Sequence, residues 1–301
     1  MLRRSLILIA LSALALLLVS AGSSRVRATA PAFPVTVKAA NGNITISKRP
    51  TRIVSLSPTS TEDLFAVGAG KQVVAVDDQS DYPKNAPMTK LSGFTANAEA
   101  VASYNPDLVI VGFDAGFVAQ LQKLGMTVLY EPAADTIADA YDQIRQLSQA
   151  TGHKTAGTAV VRKMQKRLTA LIRSVPKSRR HLTVFHELSP DYYSATSDTF
   201  IGRVYKLFGF RNIADAADTS HTGYPQLSGE YILKADPQLV VLSDSVCCAQ
   251  TASTVAARPG WSGVAAVKSK RVVAVNDSVA SRWGPRLVDF ASIVAAAARR
   301  G

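Results

Sequence analysis

Two glutamates stand in matching contexts in the two halves of this chain. Glu99 opens the run Glu99-Ala-Val-Ala-Ser-Tyr-Asn-Pro106-Asp-Leu-Val-Ile-Val111, and Glu230 opens Glu230-Tyr-Ile-Leu-Lys-Ala-Asp-Pro237-Gln-Leu-Val-Val-Leu242. In both, the acid begins a short helix, a proline follows seven positions later and an apolar strand comes next. A carboxylate in a helix's first turn complements the positive end of the macrodipole, which is the plain reading of either acid alone. The repetition supports a sharper one, in which each half presents one acid at an equivalent surface position.

Catalytic patterns are thin by comparison. His186-Glu187 could serve as an acid–base pair, but Leu188-Ser189-Pro190 follows and supplies no second histidine for a zinc-protease helix. No Gly-x-Ser-x-Gly elbow occurs. Gly68-Ala-Gly-Lys71 lacks the earlier glycine and the following Ser/Thr of a phosphate loop, so it reads as a turn between helix and strand. The histidines, His153, His181, His186 and His221, show no zinc spacing, and His186 at a strand end reads as a satisfied polar residue. No nucleophile, base and oxyanion donor assemble, so the expectation is a protein without catalysis, cofactor or resident metal ion. The only cysteines, Cys247 and Cys248, are adjacent. Two thiols make a poor metal cage, and a bridge between neighbours lies near the short limit of disulfide geometry. They are read as a ligand-adjacent loop or a vicinal disulfide.

These residues need elements to position them, and the chain is organised around a helical stretch, Ile137–Val175. Its first part, Thr136 to Thr151, carries Ile137, Tyr141, Ile144 and Leu147 at intervals of three and four, one stripe on a helical period. Thr136 is the predicted N-cap, with Asp139 as a weaker version of the capping-box partner, and Gly152 offers a stop. The second part, His153–Val175, repeats the stripe through Val160, Val161, Met164, Leu168, Leu171, Ile172 and Val175 before Pro176 ends it. About 22 residues at 1.5 Å each make a rod of roughly 33 Å. Gly157 inside it costs ~1 kcal/mol against alanine. A rod, in place of a Gly/Ser-rich hinge, implies two lobes at a nearly fixed angle.

On either side the chain alternates strand and helix. The first half offers short strands at Val35–Val37 and Ile44–Ile46, then Arg52–Leu56, a helix Glu62–Val67, Val73–Val76, Leu108–Val111, a helix Val118–Leu124 and Val128–Tyr130. The second offers Thr183–His186, a helix Ile201–Phe208, Leu239–Leu242, Val272–Val275 and a final helix Arg286–Arg300. That pattern predicts an α/β fold, with mostly parallel sheets covered by helices on both faces. The expected division is a signal segment over 1–28, an N-terminal lobe over 29–152, a connecting helix over 153–175 and a C-terminal lobe over 176–301.

At 301 residues, 47% hydrophobic and 19% charged, the chain has the composition of a globular protein. Arg3 and Arg4 precede an apolar run from Leu6 to Val19 and the small residues Ser20, Ala21 and Gly22. This is the pattern of a secretory signal, with cleavage after Ala21 or Ala28; the run is short for the ~20 residues of a spanning helix. No cysteine stands near its end for a lipobox. The expectation is an exported protein, periplasmic or associated with the cell surface. Cleavage after Ala28 would remove four arginines and no acid, lowering the net charge from +12 to +8. The basic residues are scattered, the densest run being Lys177–Arg180, so no nucleic-acid partner is expected.

In open α/β sheets, ligands bind beyond the carboxyl ends of strands. The residues expected there include Ser57–Thr61, Asp77–Tyr82, Phe94, Phe113, Glu187–Tyr193, Tyr224, Asp244–Cys248 and Ser278–Arg286. Aromatic rings recur among them: Tyr82, Phe94, Phe113, Tyr192, Tyr224 and Trp283. Flat rings over a cleft suit a large, rigid, partly apolar ligand, because they offer area with little rotamer entropy.

At this point the sequence resembles a family. Arg52-Ile-Val-Ser-Leu-Ser-Pro58-x-x-Thr61-Glu62, Ser80-Asp-Tyr-Pro83, Asn105-Pro-Asp-Leu-Val-Ile110 and Tyr224-Pro-Gln-Leu-Ser-Gly-Glu230 look like the vitamin B12-binding and ferric-siderophore-binding proteins of bacterial ABC importers. The resemblance runs from about Arg49 to the C-terminus. It implies two Rossmann-like lobes joined by one long α-helix, with the ligand held between them and limited closure. By position, Glu99 and Glu230 fall where the family places acids that engage arginines on the importer's membrane subunits. Phe94, Phe113 and Tyr224 fall where B12-binding members place aromatic residues against the corrin ring, although those members tend to carry Trp there. Arg282 and Arg286, beside Trp283, are positioned to pair with an anionic chelate. Ser57, Tyr82 and Tyr192 complete the expected ligand-binding set.

The implied function is capture of a metal chelate, a corrinoid or a ferric siderophore, by a monomer that delivers it to an importer. Two rivals remain: a haem-binding protein of the same fold, with Tyr224 or His221 as axial ligand, and an exported enzyme using His186-Glu187.

Overall fold

The structure, a computed structural model, describes residues 33–95 and 97–300; the expected signal segment lies outside them. In the first half, β1 (Val35–Ala39) and β2 (Gly42–Ile46) form an antiparallel hairpin, followed by β3 (Ile53–Leu56), α1 (Pro58–Ala66), β4 (Val73–Asp77), β5 (Met88–Leu91), α2 (Ala98–Ala102), β6 (Leu108–Val111), α3 (Phe117–Lys123) and β7 (Val128–Tyr130). The helices α4 (Ile137–Ala150) and α5 (Lys154–Ser174) come next. The second half contains β8 (Thr183–Glu187), α6 (Phe200–Leu207), β9 (Arg211–Asn212), α7 (Gly229–Ala235), β10 (Leu239–Leu242), α8 (Ala252–Ala256), α9 (Ala265–Lys268), β11 (Val272–Ala274), α10 (Asp277–Ser281) and α11 (Leu287–Ala298).

Two parallel sheets result, ordered β5-β4-β3-β6-β7 and β11-β10-β8-β9. The central strands β3, β6 and β10 are buried on both faces, so β6 and β10 read as unbroken apolar runs. Alternation sorts the side chains. Leu108 and Ile110 of β6 join one core and Val109 and Val111 join another; Leu239 and Val241 of β10 separate from Val240 and Leu242 in the same way.

One of these cores crosses the whole molecule. It runs from Ile53 and Leu129 in the first sheet, through Ile144 and Leu147 of α4 and Val161, Met164 and Leu168 of α5, to Val184 and Val241 in the second. Each such aliphatic side chain contributes ~1.5–3 kcal/mol when fully buried, so the lobes share a core and not a flexible tether. The helix pair is built as its sequence indicates. Thr136 and Asp139 form a complete capping box, and Gly152 takes a left-handed φ of +79°. Gly157 has a role beyond its helix-propensity cost: a Cβ there would lie 2.1 Å from Ser148 Oγ, so its absence lets α5 press against α4.

The main boundary difference is α1, which begins at Pro58 and not at Glu62. Ser-Pro-Thr-Ser-Thr consists of residues that favour caps and turns. Here Ser57 caps the helix by accepting from the Ser60 N–H, and Pro58 fits the first helical position, where its missing N–H does no harm.

Candidate functional site

Each sheet reverses strand order at one point, between β3 and β6 in the first and between β8 and β10 in the second. The crevices beyond those strand ends are where such sheets bind ligands. At the first, a Cβ on Gly112 would lie 2.9 Å from Ser57 Cβ. The chain leaving β6 therefore hugs the start of α1 before presenting Phe113. Phe113 and Phe94 form a tilted pair with centroids 5.8 Å apart, and they are 47% and 69% exposed. Rings left this open, and paired with each other, form an exposed apolar surface. A cavity of about 500 Å³ is bordered by Ala133–Asp135 after β7 in the first half and, from the second half, by Leu188 after β8, His221, Tyr224 and Trp283. The Trp283 indole is oriented by donating to Gln143 Oε1 at 2.7 Å.

The candidate residues divide by what they touch. Phe94, Phe113, Tyr224 and Tyr82 are exposed, whereas Ser57 is buried and occupied in capping α1. Tyr192, with a left-handed φ of +67°, turns inward and stacks on Trp261, with the Arg258 guanidinium over its ring; the exposed ring is the next one, Tyr193. Arg282 and Arg286 are not free cations. Both donate to Glu62 on α1, Arg282 Nη1 at 3.0 Å and Arg286 Nε at 2.8 Å. Arg282 also reaches Gln79 O and Asp81, and Arg286 lies 4.2 Å over the Tyr82 ring. This buried cluster fastens the last loop of the second half to the first half. Glu62 was legible only as part of a motif, since nothing in the sequence pairs it with arginines more than two hundred positions away.

Two further acids lie nearby. Glu131, just past β7, is buried, its Oε1 has no hydrogen-bond partner, and burial pushes its pKa up to about 8. Asp63 is raised in the same direction by burial, with Glu62 and Glu131 adding to it. A folded pKa above the unfolded value means the native state holds the proton more tightly. Stability is then fully present below the ordinary carboxyl range and declines as pH rises towards 8. Glu131→Gln should therefore leave the urea midpoint nearly unchanged at pH 5 and raise it at pH 9; an equal midpoint shift at both values would contradict this placement.

The possible acid–base pair does not assemble. His186 and Glu187 point to opposite faces of β8. His186 is buried between the Tyr205 hydroxyl at 2.6 Å and Ser243 Oγ at 3.0 Å, and burial holds its pKa down at about 3. Glu187 instead accepts two hydrogen bonds from Arg258, both 2.6 Å.

Comparison with known proteins agrees with this architecture. The family model described as periplasmic binding protein matches residues 53–279. The chain belongs to that family. As a member it is a binding protein and not an enzyme, built as two α/β lobes. It is 33% identical over 278 residues to an uncharacterized ABC transporter substrate-binding lipoprotein of Bacillus subtilis (strain 168), covering 88% of this chain and 86% of that one. A cobalamin-binding protein of Halobacterium salinarum (strain ATCC 29341 / DSM 671 / R1) is 32% identical over 267 residues, covering 85% and 72%. Among solved structures, the periplasmic vitamin B12 binding protein of Vibrio cholerae superposes with a TM-score of 0.69 at 27% identity, covering 83% of this binding protein and 96% of that chain. Among the described residues no helix is long and apolar enough to cross a membrane.

Proposed function

We propose that this binding protein captures a metal chelate, a corrinoid or a ferric siderophore, outside the cytoplasm and hands it to an ABC importer as a monomer. The jaws are the two α/β halves on either side of α4 and α5, with α5 (Lys154–Ser174) as the connecting helix. The observation that carries the ligand class is the exposure of aromatic rings at the strand ends of both halves, the Phe94–Phe113 pair in the first and, in the second, Tyr224, 50% exposed and bordering the cavity. Rings this open to solvent provide stacking surface for a large flat ligand, and the cobalamin- and B12-binding relatives support the corrinoid reading. The shared core and the Glu62–Arg282–Arg286 cluster support limited closure, so affinity comes from a preformed cleft.

Glu99 and Glu230 are assigned to importer docking. Each is the second residue of its helix, α2 and α7, behind an Asn or Ser cap. Each helix leads into the strand beside the sheet's reversal point, β6 or β10. Both acids are exposed and have no ion-pair partner among the described residues. The double variant Glu99→Lys/Glu230→Lys should keep ligand affinity within about twofold and lose importer-dependent uptake by more than tenfold, as expected for charge reversal at a steered contact. Uptake at the native rate, measured with labelled ligand in cells carrying the importer, would reject the assignment.

A second reading is favoured by one feature: His221 and Tyr224 border the same cavity, so either could ligate haem iron. A Soret shift on adding haemin that disappears in His221→Ala/Tyr224→Phe would establish it. Absence of that shift, together with corrinoid binding, would leave the first reading standing.

A further inference from the structure

The two reversal points are built alike, but the loops after β6 and β10 differ in kind. After β6 the chain presents Phe113; after β10, in the equivalent position, it presents the loop Asp244–Cys248. Cys247 and Cys248 are joined in a disulfide, and Val246 beside them is 66% exposed, more open than Phe113. In sheet order β10 lies between β8 and β11, and the segments following both of those strands contribute cavity-lining residues, Leu188 and Ser281.

The loop is also held. Asp277, the first residue of α10, accepts from the Val246 N–H at 3.0 Å and the Cys247 N–H at 2.9 Å, while Ser281 at the end of α10 reaches the cavity. From below, the Asp244 carbonyl accepts from the Cys248 N–H at 3.2 Å. An apolar side chain and a closed disulfide ring, fixed at both ends and left open to solvent, form a surface with no partner of its own.

We infer that the Val246-Cys247-Cys248 loop is a second ligand-facing surface of the second lobe beside Tyr224, in the position that Phe113 holds in the first, and that its disulfide must be closed for full affinity. The inference rests on the chelate-binding reading above. A bridge through a single peptide bond freezes the loop before the ligand arrives, and preorganisation of this kind raises affinity by lowering the ordering cost. A dithiol reductant would transfer two electrons and two protons, opening the S–S bond to two thiols and itself becoming a cyclic disulfide. The released loop would then have to be ordered again on binding. Exported compartments keep such bridges closed.

The test compares Kd values for cyanocobalamin and ferrichrome across four forms of the chain: oxidised, reduced with dithiothreitol and desalted without oxygen, Cys247→Ser/Cys248→Ser, and Val246→Asp. The last variant alters the surface without touching the bridge, and circular dichroism checks the fold of each. Binding by the oxidised chain should weaken about tenfold in the other three forms. Equal Kd values in all four would overturn the inference and leave the chelate-binding reading intact. No binding of either probe by the oxidised chain would overturn that reading and, with it, this inference.

Discussion

Replacing Glu62 by alanine should destabilise the fold by ~3–5 kcal/mol, the usual result of removing one partner from a buried ion cluster. Its side chain is 1% exposed, and the two arginines it serves are nearly as covered. Without it, two guanidinium groups remain in a poorly hydrated site, Arg282 with Gln79 O and the more exposed Asp81, Arg286 with the Tyr82 ring. The change should appear as a lower urea midpoint at neutral pH. Asp81→Ala, at an exposed acid, should cost no more than ~1 kcal/mol, in line with surface pairs. Replacing all three buried partners, as Glu62→Met/Arg282→Met/Arg286→Leu, should recover much of the loss, because an apolar set of similar volume needs no charge balance. If Glu62→Ala lost less than 1 kcal/mol, the lobes would have to be fastened by the shared apolar core alone.

The second large effect concerns binding. Phe94→Ala/Phe113→Ala should weaken chelate affinity about 100-fold, ~2.7 kcal/mol, with little change in stability. The two expectations separate because both rings are already open to water. Their removal creates no core cavity, but it deletes clustered aromatic area of the kind that dominates binding hot spots. Isothermal titration supplies the affinity and a urea melt the stability. Affinity within threefold of the native chain would move the ligand away from this pair of rings.

Local signals in the sequence carried much of the fold. β6, β7 and β10 match their predicted limits residue for residue, since a short apolar run buried on both faces has sharp ends. The capping box on α4 was legible because Thr136 and Asp139 act within one turn. The start of α1 was hidden, because cap residues look like loop until a helix is known to follow. β5, in Met88–Leu91, was missed because a half-exposed edge strand has no apolar run.

The site was less legible for a different reason. Exposure separates Phe94 and Phe113 from Tyr192, and only tertiary packing decides that Tyr192 turns onto Trp261 while Tyr193 stays open. Arg282 and Arg286 read as free cations until Glu62 arrives from across the chain. The repeated glutamates are the converse case. Their equivalence came from the linear pattern, and the fold places both at the second position of helices that occupy matching places in the two sheets.

The measurement to make first is thermal unfolding of the purified chain with cyanocobalamin, cobinamide, ferric hydroxamate and catecholate siderophores, and haemin, each added singly. A ligand at 100 times its Kd stabilises the native state by about 2.7 kcal/mol, which appears as a melting point several degrees higher. A clear rise with a corrinoid or a siderophore, reduced in Phe94→Ala/Phe113→Ala, is the expected result. An unchanged melting point with every one of these compounds would contradict the assignment of this cleft to metal chelates.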